Sequence, residues 1–433
     1  MKKKNYLFVT WKNDAGQLAW QVKKEGHNVK VCTEYVSCKD CFSGMIDLVD
    51  DWKRFTNWAD VIIFDETGFG EYADQLRSRG HRVIGGSKYT DKLELRREFG
   101  QKEMQIAGIK VAPSQVFKKF EEAVQFIKRH QKRYVFKPIG FVQDNKDMVI
   151  VGNEEDGSDM VDILQSRRVA WRHRIKTFLL QEFIDGVEIA IGVFFNGNEF
   201  LYPVCVNFEF KRVFSDNLGP LTGDMGSLMF WSQPNQLFEA TLKKMESRLR
   251  KSGYVGYFDI NCIVNNSGIF PLEFTSRFGY PTIDTQICGL KANMGEFLFQ
   301  LASGKSFHIN AREGFQVGIC AFLPTFFLGK KSVPMFRDLP ISIPDPKLNK
   351  NLHYKDIKYK SGKYRIAGES KLLVTAVGQG DTVESASKKA YKDLSKVKAL
   401  NLFYRNDIGD IWPANKKKLE KWGYLKTVKA ENL

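Results

Sequence analysis

The stretch Pro271–Gln286, PLEFTSRFGYPTIDTQ, decides how the rest of the chain is interpreted. It begins like a buried strand and then brings the carboxylate of Glu273 close to the guanidinium of Arg277. Asp284 and Gln286 follow at its end. One interpretation is a single ion pair that closes a β-turn. The other is a site for a metal ion and a phosphorylated ligand, and the remaining sequence has to discriminate between the two.

The length, composition and charge restrict the class of protein. With 433 residues and 43% hydrophobic content, the chain suits a globular protein of several domains. The apolar run before Lys12 is typical of a first β-strand rather than a signal peptide, and we expect a cytoplasmic protein without a membrane segment. The net charge of +16 predicts attraction to phosphorylated small molecules or polyanions. Because the basic runs are typical of solvated faces, nucleic-acid binding is the minority interpretation.

The seven cysteines are scattered and odd in number, which does not indicate a disulfide framework. Cys38 and Cys41 form the one suggestive pair. A zinc or redox site would need a second pair or a thioredoxin-like context, and the sequence contains neither. We therefore expect two reduced cysteines in a loop.

The chain is expected to be a multidomain protein of α/β and α+β class. Near the N-terminus, continuous apolar strands alternate with helical patterns, which predicts a parallel sheet covered on both faces. No dinucleotide fingerprint follows the first strand, which argues against NAD binding. Mixed blocks and a strand-rich C-terminal region follow. The predicted division is an N-terminal α/β domain (1–90), a linking helical segment (91–133), two lobes (134–195 and 196–314) and a C-terminal domain (315–433).

Ionisable residues from three parts of the chain point to one site. Lys137 follows an apolar strand, so its amine emerges at a strand end. Glu182 and Glu188 flank a predicted turn between two strands. Asp259 and Glu273 lie on the two arms of a predicted hairpin, where cross-strand neighbours can share a cation. Each residue alone has a simpler structural explanation, but together they supply what a nucleoside triphosphate with Mg²⁺ requires.

Five motifs occur in an order known from one family. They are FKPIG (136–140), QEFIDGVEIAI (181–191), FKRVFSDNLGPLTGDMGSL (210–228), LEFTSRFGYP (272–281) and the C-terminal LLVTAVGQGDTVESASKKAY…FYRNDIG (372–409). Over nearly its whole length the chain resembles the ATP-grasp superfamily, and specifically the glycinamide ribonucleotide synthetase (phosphoribosylamine–glycine ligase) family. The resemblance implies a two-lobed ATP-grasp core between the N- and C-terminal domains.

The resemblance also implies roles for the matching residues. The residues implied to bind ATP are Arg97, Lys137, Glu182 and Glu188, the last two near the adenine and the ribose. The residues implied to hold Mg²⁺ or Mn²⁺ are Asp259, Glu273 and Thr275. Arg277 would contact the transferring phosphoryl group or the acylphosphate as the catalytic residue. Substrate contacts are implied for Lys211, Arg212, Asp216, Thr222, Asp284 and Gln286.

The implied reaction is carboxylate activation. ATP phosphorylates a substrate carboxylate, and an amine attacks the acylphosphate to give an amide, ADP and phosphate. The implied partners are a small-molecule carboxylate and a small-molecule amine, one of them phosphorylated, and the implied assembly is a monomer or dimer.

Several positions depart from the family pattern. Thr275 stands where the family has a metal-binding Asn, and Tyr280 replaces an Asp. Leu221 and Asp224 replace an Asn and a Gly near the expected substrates, and Phe210 replaces a His. The positions expected at ATP are mostly retained. Three explanations stay open: a divergent enzyme of purine synthesis, a ligase of the same descent that joins a different carboxylate and amine, and an inactive scaffold that binds nucleotide or nucleic acid.

Overall fold

The structure is a computed structural model that describes residues 2–139, 148–343, 350–369 and 371–426. The glycine-poor loop that follows Lys137 in the sequence, residues 140–147, lies outside the described residues. No helix among the described residues is long and apolar enough to cross a membrane.

A parallel sheet forms the N-terminal part of the fold. Its strands are Asn5–Thr10 (β1), Asn28–Thr33 (β2), Asp47–Val49 (β3), Val61–Phe64 (β4) and Val83–Ile84 (β5). The strand order is β3-β2-β1-β4-β5, and helices Gly16–Lys24 (α1) and Gly70–Ser78 (α2) connect its strands. Strands β1 and β4 are almost completely buried, as their unbroken apolar sequences require. The predicted parallel sheet is confirmed, while the short, half-exposed β3 was not predicted.

Two helices, rather than the predicted one, follow this sheet. They are Lys88–Leu95 (α3) and Arg97–Ile106 (α4), and between them Arg96 is extended with φ −123° and ψ 91°. The side chain of Ser87 caps α3 by accepting from the Thr90 amide, and the Thr90 hydroxyl accepts from the Ser87 amide in return. The prediction of a continuous helix was therefore wrong. Because of the break, Arg97 is the first residue of α4.

A small antiparallel sheet comes next. Its strands are Ser114–Phe117 (β6), Tyr134–Ile139 (β7), Ile150–Val151 (β8) and Thr177–Glu182 (β9), in the order β6-β9-β7-β8. Helices Phe120–Arg129 (α5) and Ser158–Trp171 (α6) pack against each other. Segment 91–133, predicted as a helical link, thus also contains strand β6 and helix α5, which belong to the small sheet and its packing. It is therefore not a purely helical link.

An eight-stranded antiparallel sheet forms the largest layer. Its strands are Val187–Phe195 (β10), Phe200–Glu209 (β11), Gly226–Ser232 (β14), Gly256–Asn265 (β15), Gly268–Thr275 (β16), Phe315–Phe322 (β17), Leu352–Tyr354 (β18) and Leu372–Gly380 (β21). The order is β16-β15-β10-β11-β14-β17-β21-β18. The hairpin predicted between β15 and β16 is confirmed. Strands β9 and β10, predicted on either side of a turn, belong to different sheets.

Two ribbons and the remaining helices complete the fold. The ribbons pair Arg212–Phe214 (β12) with Leu218–Leu221 (β13) and Ile357–Lys360 (β19) with Lys363–Ile366 (β20). The helices are Gln236–Ala240 (α7), Glu246–Lys251 (α8), Thr282–Gly289 (α9), Met294–Ala302 (α10), Thr325–Leu328 (α11), Val333–Phe336 (α12), Val383–Leu394 (α13) and Trp412–Trp422 (α14). Helix α13 is capped by Thr382, whose side chain accepts from the Ser385 amide.

Candidate active site

One face of the eight-stranded sheet carries polar side chains from neighbouring strands. In the β15–β16 ladder, Asp259 is opposite Thr275, and Asn261 is opposite Glu273. Paired residues, and residues two apart on one strand, point to the same face of a sheet. These four side chains therefore share one surface. Asp259 and Glu273 lie on the two arms of the predicted hairpin, and the register makes them diagonal neighbours, which long side chains can bridge.

Lys211 connects carboxylates on two further strands of this sheet. Its Nζ lies 2.7 Å from Oε1 of Glu188 on β10 and 3.1 Å from Oε2 of Glu209 on β11. Burial opposes the charge, but Glu188, Glu209 and Glu273 raise the pKa of Lys211 well above its usual range. Lys211, predicted to bind substrate, is therefore a fixed cation among the site carboxylates. Glu209 was not predicted.

Asp259 is the most deeply buried carboxylate of this face, with 6% of its surface exposed. Burial, reinforced by the charge of Glu209, raises its pKa well above the usual range, although Arg277 and Lys211 act in the opposite direction. Burial is thus the main reason why the ionised form of Asp259 is disfavoured. An added cation at this face would stabilise the ionised form of Asp259.

Lys137 approaches this face from the four-stranded sheet. It lies on β7, and its Nζ donates to Oε1 of Gln181 at 2.9 Å. Burial and the charge of Arg97 lower the pKa of Lys137 to about 8, while Glu273 and Glu188 act to raise it. Because such interactions weaken with distance, the Lys137 amine lies within electrostatic range of these glutamates.

The lowered pKa of Lys137 predicts a pH-dependent affinity for ATP. The ammonium form predominates below pH 8 and is lost above it, so we expect ATP to bind roughly tenfold more weakly at pH 9 than at pH 7. Isothermal titration calorimetry at both pH values measures this change. The Lys137→Arg variant keeps its charge at both values and should lose the pH dependence. An equal dependence in both proteins would contradict the assignment.

Arg97 and Glu182, the other two residues expected to bind ATP, both have partners on or near the small sheet. Arg97 donates from Nη1 to the carbonyl of Pro138 at 2.8 Å, which anchors the start of α4 against β7. Glu182 ends β9, and its Oε1 lies 2.7 Å from Nζ of the exposed Lys132. Their roles in nucleotide binding stay predictions.

Arg277 is held by acidic residues of the N-terminal half of the chain. Its Nε donates to Oε1 of Glu94 at 3.0 Å, and the Ser276 amide donates to Oε2 of the same carboxylate at 2.7 Å. Burial opposes its charge, but Glu94 and Glu66 together raise the pKa of Arg277 further. Neither glutamate was predicted, because each lies about 180 residues or more from Arg277 in sequence and belongs to no recognised motif.

Asp65 and Glu66 follow β4 and are buried next to Arg277. Oδ2 of Asp65 accepts from the Ala15 amide at 2.7 Å. Burial raises the pKa of Asp65 to about 7, and burial together with the charge of Asp65 raises that of Glu66 to about 8. These carboxyl groups therefore bind protons more tightly in the folded chain than when unfolded.

This pair predicts that stability falls as the pH rises. Between about pH 4, which is the pKa of these groups in the unfolded chain, and pH 8, the folded state binds more protons than the unfolded state. The free energy of unfolding therefore decreases as the pH rises across that window. Glu66→Gln removes one ionisation and should raise the melting temperature at pH 8.5 more than at pH 5. Thermal denaturation at both pH values measures the difference. The exposed Glu71→Gln is the control, and equal shifts in both variants would contradict the prediction.

A cavity of about 220 Å³ adjoins this region. Its charged lining residues are Lys12, Asp14, Asp224, Asp284, Lys355, Asp356, Glu369 and Lys371. The predicted substrate residue Thr222 also lines it, as does Tyr280, which departs from the family pattern. Except for Asp224 and Asp284, the charged lining residues were not predicted, since they come from the two ends of the chain, where no motif identified them.

Of the other predicted substrate residues, only Asp284 is among the residues that line this cavity. Asp284 and Gln286 lie on helix α9 rather than in a turn. Oδ1 of Asp284 is 3.5 Å from Nδ1 of His353, whereas Gln286 is completely buried. Arg212 donates to the Gly219 carbonyl within its ribbon. The Asp216 amide donates to Oδ2 of Asp407 in the FYRNDIG motif, so Asp216 lies beside the C-terminal segment.

Comparison with known proteins accounts for this arrangement. Residues 96–283 match the phosphoribosylglycinamide synthetase, ATP-grasp (A) domain. A phosphoribosylamine–glycine ligase of Streptococcus pneumoniae is 24% identical over 347 residues, which is 78% of this chain and 80% of that protein. The chain therefore resembles the phosphoribosylglycinamide synthetase family.

Solved structures share this fold. A phosphoribosylamine–glycine ligase of Thermotoga maritima superposes with a TM-score of 0.71 at 21% identity, covering 94% of this chain and 100% of the other. The biotin carboxylase domain of a Hydrogenobacter thermophilus 2-oxoglutarate carboxylase, solved with MgADP and bicarbonate, gives a TM-score of 0.63 at 13% identity. It covers 100% of this chain and 98% of its own. The expected ATP-grasp fold is therefore confirmed.

ATP-grasp enzymes use ATP and a divalent metal ion, and the polar sheet face of this chain fits an oxygen-ligated cation. It offers two carboxylates, from Asp259 and Glu273, with the Thr275 hydroxyl and the Asn261 amide beside them. Proteins usually bind Mg²⁺ through one or two carboxylates together with phosphate oxygens and water. Within the described residues, no group of three or more His, Cys, Asp or Glu side chains could hold a metal ion.

Proposed function

We propose that the chain is an ATP-dependent ligase that joins a carboxylate to an amine through an acylphosphate, as phosphoribosylamine–glycine ligase does. The observation that carries this proposal is the position of Lys137 relative to the polar face of the large sheet. Lys137 on the small sheet interacts electrostatically with Glu188 and Glu273 on the large one, and Glu273 shares its sheet face with Asp259. A fixed amine opposite oxygen ligands is the arrangement that transfer of a phosphoryl group from ATP requires.

In this mechanism each residue acts on a defined charge. Lys137 and Arg97 neutralise the phosphates of ATP, and Glu188 lies where the nucleoside is expected. Mg²⁺ or Mn²⁺, held by Asp259, Glu273 and Thr275, would supply charge neutralisation for the transferring phosphoryl group. Arg277 offers a planar fork of donors to the acylphosphate oxygens, because the hydrogen bond from its Nε to Glu94 fixes its orientation.

The adjoining cavity supports a phosphorylated amine as one substrate. Lys12 and Lys371 give it two cationic side chains suited to the oxygens of a phosphate monoester, while burial lowers the pKa of the third lysine, Lys355, to about 7. Asp224 and Asp284 could accept hydrogen bonds from an amine or from sugar hydroxyl groups. Phosphoribosylamine, with glycine as the carboxylate, is the first candidate pair.

A different carboxylate and amine are the second candidate. Asp224 and Tyr280 both line the cavity, and both depart from the family pattern. Burial and the charge of Glu209 raise the pKa of Asp224 to about 7. A titratable carboxyl group in place of glycine changes both the space and the charge available to the substrate, which favours a changed specificity.

The deciding experiment measures ADP release from ATP and Mg²⁺ with freshly generated phosphoribosylamine, with and without glycine. Glycine-dependent release together with glycinamide ribonucleotide would support the first candidate. Binding of ATP without that turnover would support the second, and a panel of other amines and carboxylates would then be assayed. Absence of ATP binding would contradict ligase activity and leave the inactive scaffold as the remaining explanation. Steeply salt-dependent DNA or RNA binding would then favour a nucleic-acid partner.

A further inference from the structure

Cys38 and Cys41 lie on one tight turn. The Cys41 amide donates to the Cys38 carbonyl at 3.1 Å. A turn of this kind keeps the two Cα atoms within about 7 Å, and disulfides span about 4.4–6.8 Å. Both thiols are free. Their spacing on the turn therefore suits the pair to thiol–disulfide chemistry.

The two thiols differ in their access to the substrate cavity. Cys38, although only 2% exposed, lines that cavity, whereas Cys41 is completely buried and does not line it. Sγ of Cys41 lies 3.9 Å from Oδ1 of Asp356, a lining residue. The Cys41 carbonyl accepts from Nδ2 of Asn13 at 2.9 Å, and the chain neighbours of Asn13 on both sides also line the cavity. The turn is thus connected to two walls of the cavity.

The environment also separates the reactivity of the two thiols. The hydrogen bond from Cys41, with a weaker contact to the Ser37 hydroxyl at 3.7 Å, lowers the pKa of Cys38 although burial opposes this. The same hydrogen bond and complete burial raise the pKa of Cys41 well above its usual range. Since the thiolate is the nucleophile, the cavity-facing Cys38 is the more reactive group.

We propose that Cys38 and Cys41 form a peroxide-sensitive dithiol in the wall of the substrate cavity. The Cys38 thiolate attacks hydrogen peroxide, breaks its O–O bond and becomes a sulfenic acid, while the departing hydroxide takes up a proton to give water. The Cys41 sulfur then attacks the Cys38 sulfur, which forms the disulfide and releases a second water. Two thiols and one peroxide thus give one disulfide and two waters, and a reducing thiol restores the pair.

Oxidation would alter the cavity because Cys41 has little room behind it. A side-chain carbon added at Gly368 would lie only 2.6 Å from Sγ of Cys41, so this sulfur is packed against the chain there. To bond with Cys38 it has to turn away from Asp356. We expect the charge and shape of the cavity wall to change and the affinity for the cavity's substrate to fall. This consequence rests on the proposed function, whereas formation of the disulfide does not.

Peptide mapping of the full-length protein tests the disulfide directly. Lys39 lies between the two cysteines, so trypsin separates peptide 31–39 from peptide 40–53 in the reduced protein. After peroxide treatment and alkylation, mass spectrometry should find these peptides joined, and dithiothreitol should separate them. The Cys38→Ser and Cys41→Ser variants should show no joined peptide. Cys32→Ser, which removes the other cysteine of peptide 31–39, should retain it.

Two outcomes would overturn the proposal. One is the absence of the joined peptide from the wild type, and the other is its loss in Cys32→Ser with retention in Cys38→Ser. The functional consequence is read from the KM for the amine, which should rise at least severalfold on oxidation of the wild type and stay constant in Cys41→Ser. A chain without ligase activity would refute the proposed function, yet the joined peptide would still report on the dithiol. A disulfide that forms but leaves the KM unchanged would refute the expected effect of oxidation on substrate affinity.

Discussion

Replacement of Glu273 by glutamine is expected to lower the rate of amide formation by about 10²–10³-fold. Glu273 lies on the exposed part of the polar sheet face, opposite Asn261, and its charge acts on both Lys137 and Lys211. Glutamine keeps the size and one carbonyl oxygen but removes the negative charge that a divalent cation requires. Steady-state assays of ADP release measure the loss, which should appear mainly in kcat.

The position of Glu273 makes this variant a clean test. Because the side chain is exposed, the melting temperature should change little, so lost activity would not reflect unfolding. Glu199→Gln is the matched control, since Glu199 is exposed on the β10–β11 turn of the same sheet. Full activity in Glu273→Gln would refute the metal assignment. A loss that higher metal concentrations partly reverse would support it.

The fold was largely predictable because its patterns are local. The apolar runs of β1 and β4 indicated buried parallel strands, and the turn residues between β15 and β16 indicated a hairpin. Two features were missed for physical reasons. The break at Arg96 leaves the helical periodicity on both sides intact, and strand β6 exposes three of its four residues.

The site was only partly predictable because its supporting residues come from distant segments. The motifs identified Lys137, Glu273 and Arg277. They could not identify Glu94, whose contact with Arg277 depends on how α3 packs against β16. Asn261 was missed for a different reason, since its role depends on a register that only the pairing of β15 and β16 defines.

Replacement of Arg277 by alanine is expected to impair both activity and stability. The side chain is paired with Glu94, and the two side chains are 30% and 15% exposed. Removal of one partner from a buried ion pair costs about 3–5 kcal/mol, and partial exposure places this pair towards the lower end. The lost phosphate contact should reduce the rate by a further 10²-fold or so. Urea denaturation and ADP-release assays measure the two effects separately.

The Arg277→Lys variant separates the role of the charge from that of the guanidinium fork. Lysine can retain the ion pair with Glu94, so most of the stability should return. It cannot offer two parallel donors to an acylphosphate while it contacts Glu94, so kcat should remain low. Glu94→Gln, which keeps Arg277 but weakens its anchor, should fall between the two in turnover. Wild-type turnover in Arg277→Lys would contradict the phosphate contact and leave Arg277 with a structural role at the end of β16.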